Sequence, residues 1–141
     1  MLDMDPVTEE CTKHILGAAF EVSNLLGHGF LEAVYRRALL REFALRETQA
    51  EEEVRFPVEY KGSVIGLYVA DLVVGGRVIV ELKAVDELSR SHMAQVLNYL
   101  RVSGLQVAML LNFGKPRLEY RRVLAQPGWI DLPRMNTNEH E

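Results

Sequence analysis

Apolar residues recur along the first 45 positions at helical spacing. Ile15, Ala19, Val22 and Leu26 follow one another at steps of four, three and four, which is one stripe of an α-helix. Asp5-Pro6 ahead of them reads as an N-cap and a first-turn proline, and Gly27 and Gly29 as the helix end. A second helix is expected from near Leu31 to about Glu47, with Leu31, Tyr35, Leu39 and Phe43 on one face and Arg36, Arg37 and Arg41 on another. The polar run 48–53 reads as a connection. The period then changes. Residues 54–60 read as a strand, with Pro57 suggesting a sheet edge. Lys61-Gly62 reads as a turn, 64–74 as a second strand, Gly75-Gly76 as a hairpin signal and 77–84 as a third strand. A helix follows from about Ser89, capped by Ser89 or Ser91 and stopped by Gly104; 106–113 and 118–124 read as further strands. The third and fourth strands flank a helix, so they are expected to be parallel with a right-handed crossover. The pattern predicts a mixed α/β (α+β) domain over 1–133, with helices packed on a central sheet of four to five strands, and a polar tail over 134–141.

Composition narrows the class. A chain of 141 residues with 48% hydrophobic and 26% charged residues suits one globular domain. No apolar run approaches the roughly 18 residues of a membrane span. The acidic start MLDMDPVTEE fits neither a secretory signal nor a mitochondrial presequence. The single cysteine, Cys11, excludes an internal disulfide and a cysteine zinc cluster, and reads as a small hydrophobe. A cytoplasmic setting is expected. The net charge of −4 argues against a general nucleic-acid coat, but the halves differ: 1–60 carries −6 and 61–141 carries +2.

The chemistry is carried by charges placed where a strand should have none. Residues 78–85 are apolar on both faces except for Glu81 and Lys83, which lie two apart and share a face. Asp71 sits in a similar apolar run. Two readings stand side by side: a structural Glu81–Lys83 ion pair with Asp71 as a strand-end cap, or paired carboxylates holding a hard cation such as Mg²⁺ or Mn²⁺. Register separates them. A two-residue Gly75-Gly76 loop would turn Asp71 away from Glu81. A three-residue loop, Val74-Gly75-Gly76, would set Asp71 opposite Ile79 and on the Glu81 face, and this odd loop or an equivalent bulge is predicted. On the following helix, Met93, Val96, Leu97 and Leu100 form the expected core face, and His92, Gln95 and Tyr99 an adjacent polar stripe. No Walker-type phosphate loop, Gly-x-Ser-x-Gly elbow or His-Glu-x-x-His motif is present.

Three segments in order resemble one family. GFLEAVY (29–35) fits the signature of the GxxExxY proteins of the PD-(D/E)XK nuclease-like superfamily; ADLVVGGRVIVELKA (70–84) resembles their Asp plus Glu-x-Lys hairpin, and SHMAQVLNYLRVSG (91–104) their Gln-x-x-x-Tyr helix. The similarity runs over about residues 10–124. It implies a restriction-endonuclease-like αβββαβ core and a divalent-metal phosphodiesterase site. By that resemblance Asp71 and Glu81 are the metal-binding acids, with Glu32 and the Leu82 carbonyl completing the shell. Lys83 matches the catalytic lysine and Gln95 the polar helix residue. Gly29, Tyr35 and Tyr99 are supporting positions, Tyr35 orienting Glu32 and Tyr99 supporting Gln95. Ala70 stands where the superfamily pattern has proline. Arg36, Arg37 and Arg41, or Lys115, Arg117, Arg121 and Arg122, are candidates to grip a DNA or RNA backbone; a solvated surface explains the second group equally well. The implied activity is nuclease-like hydrolysis with Mg²⁺ or Mn²⁺. The alternative is a catalytically silent nuclease-fold module that binds nucleic acid or a protein. The expected partner is nucleic acid, DNA or RNA, with no membrane, and a homodimer or protein partner is needed for recognition surface.

Overall fold

A computed structural model describes residues 4–126; the expected tail 134–141 lies outside the described residues. The elements are α1 (Pro6–Leu26), α2 (Glu32–Leu45), β1 (Ala50–Tyr60), β2 (Ser63–Val74), β3 (Val78–Lys83), α3 (Arg90–Ser103), β4 (Val107–Asn112) and β5 (Glu119–Leu124). The strands form one five-stranded sheet in the order β1-β2-β3-β4-β5. Only β3 and β4 run parallel, with α3 as their crossover; the other neighbours are antiparallel.

Local chemistry sets the helix ends. The Asp5 carboxylate accepts from Thr8 N at 2.8 Å ahead of Pro6, which starts α1. Ser89 caps α3, and its box is closed by His92, whose Nδ1 accepts from Ser89 N at 3.0 Å. His92 is therefore a capping residue. α2 begins less firmly: Leu31 is its N-cap without a side-chain bond and is 78% exposed, so it does not belong to the core face expected for it.

Two apolar clusters sandwich the sheet. α1 and α2 contribute Ile15, Tyr35, Leu39 and Phe43 to one, against Leu72, Val80, Leu82 and Met109. α3 contributes Val96, Tyr99 and Leu100 to the other, against Val73, Ile79, Ala108 and Leu110. The central strands β3 and β4 are buried on both faces, as their unbroken apolar runs require.

Three boundaries differ from the sequence expectation, each for a physical reason. Residues 50–53 are strand, not connection. Glu51, Glu52 and Glu53 are exposed because β1 is an edge strand, so their polarity carries no strand signal. α2 stops at Leu45, short of Glu47, which has a left-handed φ of 56°. The β2–β3 loop has three residues, but they are Gly75, Gly76 and Arg77: Val74 pairs with Val78, and Arg77 N bonds Val74 O at 3.0 Å. Both glycines take positive φ (62° and 65°), so the turn uses both and pushes Arg77 out as the extra residue. The parity matches the expected odd loop. The register is shifted, so Asp71 faces Glu81 rather than Ile79.

Facing changes along the hairpin at the same point. Ala50, Leu72 and Val74 pack with the α1/α2 cluster, whereas Val54, Phe56, Tyr68 and Ala70 pack with the α3 cluster. Glu52 pairs with Leu72 and Val54 with Ala70; between them Glu53, at φ 52°, and Asp71 interrupt the alternation. β2 stays on β3 only as far as Leu72. No helix among the described residues is long and apolar enough to cross a membrane.

Candidate functional site

The site begins where the β2–β3 ladder ends. Beyond Leu72–Val80, side chains take over from backbone carbonyls. Asp71 N donates to Glu81 Oε2 at 2.7 Å, and Leu82 N donates to Asp71 Oδ2 at 2.8 Å. Each carboxylate thus satisfies a backbone donor of the opposite strand, a charge-assisted bond that fixes both side chains in place. One oxygen of each remains available to other ligands.

The electrostatics are unfavourable for two charges. Glu81 is 3% exposed. Burial and the neighbouring Asp71 push its pKa up to about 8, against the bonded Asp71 N–H and Lys83, which lower it; Glu32 adds further repulsion. Burial also raises Asp71, opposed by the Leu82 N–H and by the Arg36 and Lys83 cations. The pair therefore retains a proton near neutral pH. Two hard oxygen donors, held together and resisting joint ionisation, are a donor set that suits a divalent cation of the Mg²⁺ type.

Lys83, on β3 one alternation beyond Glu81, makes no ion pair with it. Its Nζ donates to Gln95 Oε1 on α3 at 3.1 Å. The structural ion pair considered from the sequence is thus not formed, and Gln95 is the member of the α3 stripe that reaches the site. The Tyr99 hydroxyl bonds elsewhere than Gln95. It donates to Val69 O at 3.3 Å, and the Tyr99 ring meets Tyr68 edge-on at 5.1 Å, tying α3 to the departing β2. Burial and the Glu81 and Asp71 charges push its pKa up to about 12.

Glu32 stands exposed in the first turn of α2. Among the described residues no three His, Cys, Asp or Glu side chains come close enough to hold an ion, so Glu32 does not close the set with Asp71 and Glu81. Tyr35 does not orient Glu32 directly. It is fully buried, donates to Gly27 O at 2.7 Å, accepts from Phe30 N at 3.2 Å and stacks on Phe113 at 4.6 Å. It clamps the 27–30 loop, in which Gly29 has φ 114°, and so fixes where α2 starts. Leu82 buries its side chain in the α1/α2 cluster while its N–H serves Asp71.

The basic candidates divide. Arg36 turns towards the acids: its buried Nε stands 3.4 Å from Glu52 Oε1 without completing a hydrogen bond, and its charge lowers Asp71. Arg37 and Arg41 are exposed on α2. Lys115 and Arg121 both approach Glu119, at 3.9 and 3.5 Å, and Arg122 pairs with Glu9 at 3.4 Å. Arg117 is exposed.

Asn112 escaped the sequence reading. Fully buried at the end of β4, it accepts from Val85 N and Gly114 N at 3.0 Å each. It donates to Val85 O at 2.9 Å and to Glu119 Oε1 at 3.0 Å. Glu119 in turn accepts from Leu88 N at 3.1 Å. Gly114 lies so close that any Cβ would collide with Ala84 and Val85 backbone. Together they latch the segment between Lys83 and α3. The one sequence signal was a polar residue closing the apolar run VAMLLN.

Sequence comparison addresses the identity of this arrangement. A profile for the PD-(D/E)XK nuclease superfamily matches residues 9–123. No curated protein matches the chain. Similar solved structures include that of SSO0001, 15% identical over 81% of this chain and 77% of that one, with a TM-score of 0.43. Another is an alkaline exonuclease, LHK-Exo, from Laribacter hongkongensis, 13% identical over 87% and 85% with a TM-score of 0.47. The same exonuclease in complex with dAMP is 12% identical, also at 0.47. The profile match spans most of the chain and includes α2, the Asp71–Glu81–Lys83 hairpin and α3; the chain belongs to the PD-(D/E)XK nuclease superfamily.

Proposed function

We propose that this protein is a Mg²⁺- or Mn²⁺-dependent phosphodiesterase that hydrolyses phosphodiester bonds of DNA or RNA. The observation that carries the reading is the reciprocal bonding of Asp71 and Glu81, which holds two reluctant carboxylates together at the end of a ladder. Asp71 and Glu81 would hold the ion, with the Leu82 carbonyl as a further donor. Such an ion supplies Lewis acidity and a bound water of lowered pKa. Lys83, aimed by Gln95, offers an ammonium beside the acids to position the attacking water and to offset charge growing on the phosphate. Arg36, standing beside Glu52, adds a positive charge that helps Asp71 ionise. A homodimer or protein partner would supply recognition surface.

The test is hydrolysis of single- and double-stranded DNA and RNA with either ion. Lys83→Ala is expected to lower turnover at least about a hundredfold while leaving the thermal transition in place. Equal turnover by wild type and variant would refute the assignment. The absence of a three-carboxylate set among the described residues favours a second reading, a nuclease-fold module that binds without cleaving. Ion binding that Asp71→Asn abolishes, with no turnover of any nucleic acid, would select it.

A further inference from the structure

Just past Lys83 in the chain lies a cavity of about 600 Å³ whose lining includes none of Asp71, Glu81 and Lys83, so the proposed chemistry does not use it. One wall is Phe30, Leu31 and Glu32, where the chain enters α2; the other is the Ala84–Asp86 segment that follows Lys83 directly. Both walls are held rigid. Tyr35 grips Phe30 N and meets the Phe30 ring edge-on at 6.0 Å, and Asn112 binds both backbone groups of Val85. Phe30 is nevertheless 47% exposed and Leu31 78% exposed.

We propose that this cavity receives one unpaired nucleobase of the substrate strand, stacked on Phe30, so that the protein acts on single-stranded or frayed nucleic acid. The proposal rests on the nuclease reading above and names its substrate class. Three observations select a base. The space falls within the usual range for small-ligand sites, roughly 300–1,000 Å³. A fixed, half-exposed aromatic ring offers a stacking face, which every base can use. The carboxylates on the two walls, Glu32 and Asp86, with no Lys or Arg lining the cavity, disfavour a phosphate and accept from a base amino group. A base still paired in a duplex cannot enter such a pocket; it must already be unpaired or be flipped out.

The test titrates wild-type protein into a short single-stranded oligonucleotide carrying 2-aminopurine, with no divalent ion added. Stacking is expected to quench the fluorophore, and the same label inside a blunt duplex is expected to stay bright. Phe30→Ala should weaken single-strand binding about tenfold, with Phe30→Trp restoring it. Ala33→Leu, which adds bulk to the cavity wall, provides a second variant should Phe30→Ala unfold. No quenching by wild type, or equal binding by wild type and both weakening variants, would overturn the pocket. Cleavage with Mn²⁺ is read separately. Turnover that ignores Phe30 removes the pocket and leaves the nuclease. Quenching without turnover leaves the pocket and removes the nuclease.

Discussion

Glu81 and Asp71 are ordinary residues made unusual by place. In the unfolded chain Glu81 ionises near 4.5, whereas in the fold its pKa is pushed up to about 8. Between those values the folded state binds the extra proton, so stability falls as pH rises from about 4.5 to about 8 and levels off above. The loss is on the order of a few kcal/mol, and Asp71, shifted the same way, adds to it. Thermal unfolding without divalent ions is therefore expected to show a lower Tm at pH 8.5 than at pH 6. Glu81→Gln should remove most of that slope, because the amide oxygen still accepts from Asp71 N while carrying no charge. Mn²⁺ should raise the Tm of the wild type at pH 8.5 and leave Glu81→Gln nearly unmoved. A slope equal in both proteins would place the raised proton affinity elsewhere.

Elements meet at this point because a latch far from it in sequence holds them. Asn112 ends β4, yet it fixes Val85 and, through Glu119, Leu88, and so sets the path from Lys83 to the α3 residue Gln95. Asn112→Ala takes their side-chain partner from Val85 N, Val85 O and Gly114 N, and is expected to destabilise the fold by about 2–3 kcal/mol. It should also lower turnover by Lys83 under conditions where the variant is still fully folded, measured by circular dichroism alongside cleavage. Loss of stability with unchanged turnover would reduce the latch to a structural role. Asn112 also marks where the sequence ceased to be legible. Glu81 and Lys83 could be read because charge on a strand apolar on both faces contradicts its surroundings. The odd hairpin loop followed from their need to meet Asp71. The loop's exact residues did not follow, since parity is satisfied by Val74-Gly75-Gly76 and by Gly75-Gly76-Arg77 alike. Spacing placed His92, Gln95 and Tyr99 on one stripe, yet one caps the helix, one reaches Lys83 and one packs on β2, choices made by what each meets across space. Glu51, Glu52 and Glu53 read as a loop because an exposed edge strand imposes no burial pattern. Asn112 has its key partner 27 residues earlier, a pairing no local spacing records.

The whole molecule is acidic, at −4, and much of its positive charge is already engaged. Glu119 answers Lys115 and Arg121, Glu9 answers Arg122, and Glu52 stands beside Arg36. Among the described candidates, Arg37, Arg41 and Arg117 are exposed and form no ion pair. Salt dependence of binding counts the phosphates neutralised, through the counterions they release. About three such contacts give a slope of log affinity against log salt of about −2 to −3. That value is expected for an oligonucleotide bound by the isolated chain, measured by fluorescence anisotropy between about 50 and 300 mM salt, over which the Debye length shortens from about 14 to about 6 Å. Arg37→Ala with Arg41→Ala should make the slope shallower by close to two units, whereas Lys115→Ala with Arg121→Ala should barely change it, because Glu119 already screens that pair. A slope steeper than about −6 would mean that nucleic acid pulls the paired cations away from their acids, and that the β5 surface is part of the grip after all. A shallow slope has the opposite consequence. So few phosphate contacts confer little affinity on a lone chain at physiological salt, so tight binding would then have to come from the unpaired-base pocket beside Glu32 or from a second protein surface set against this one.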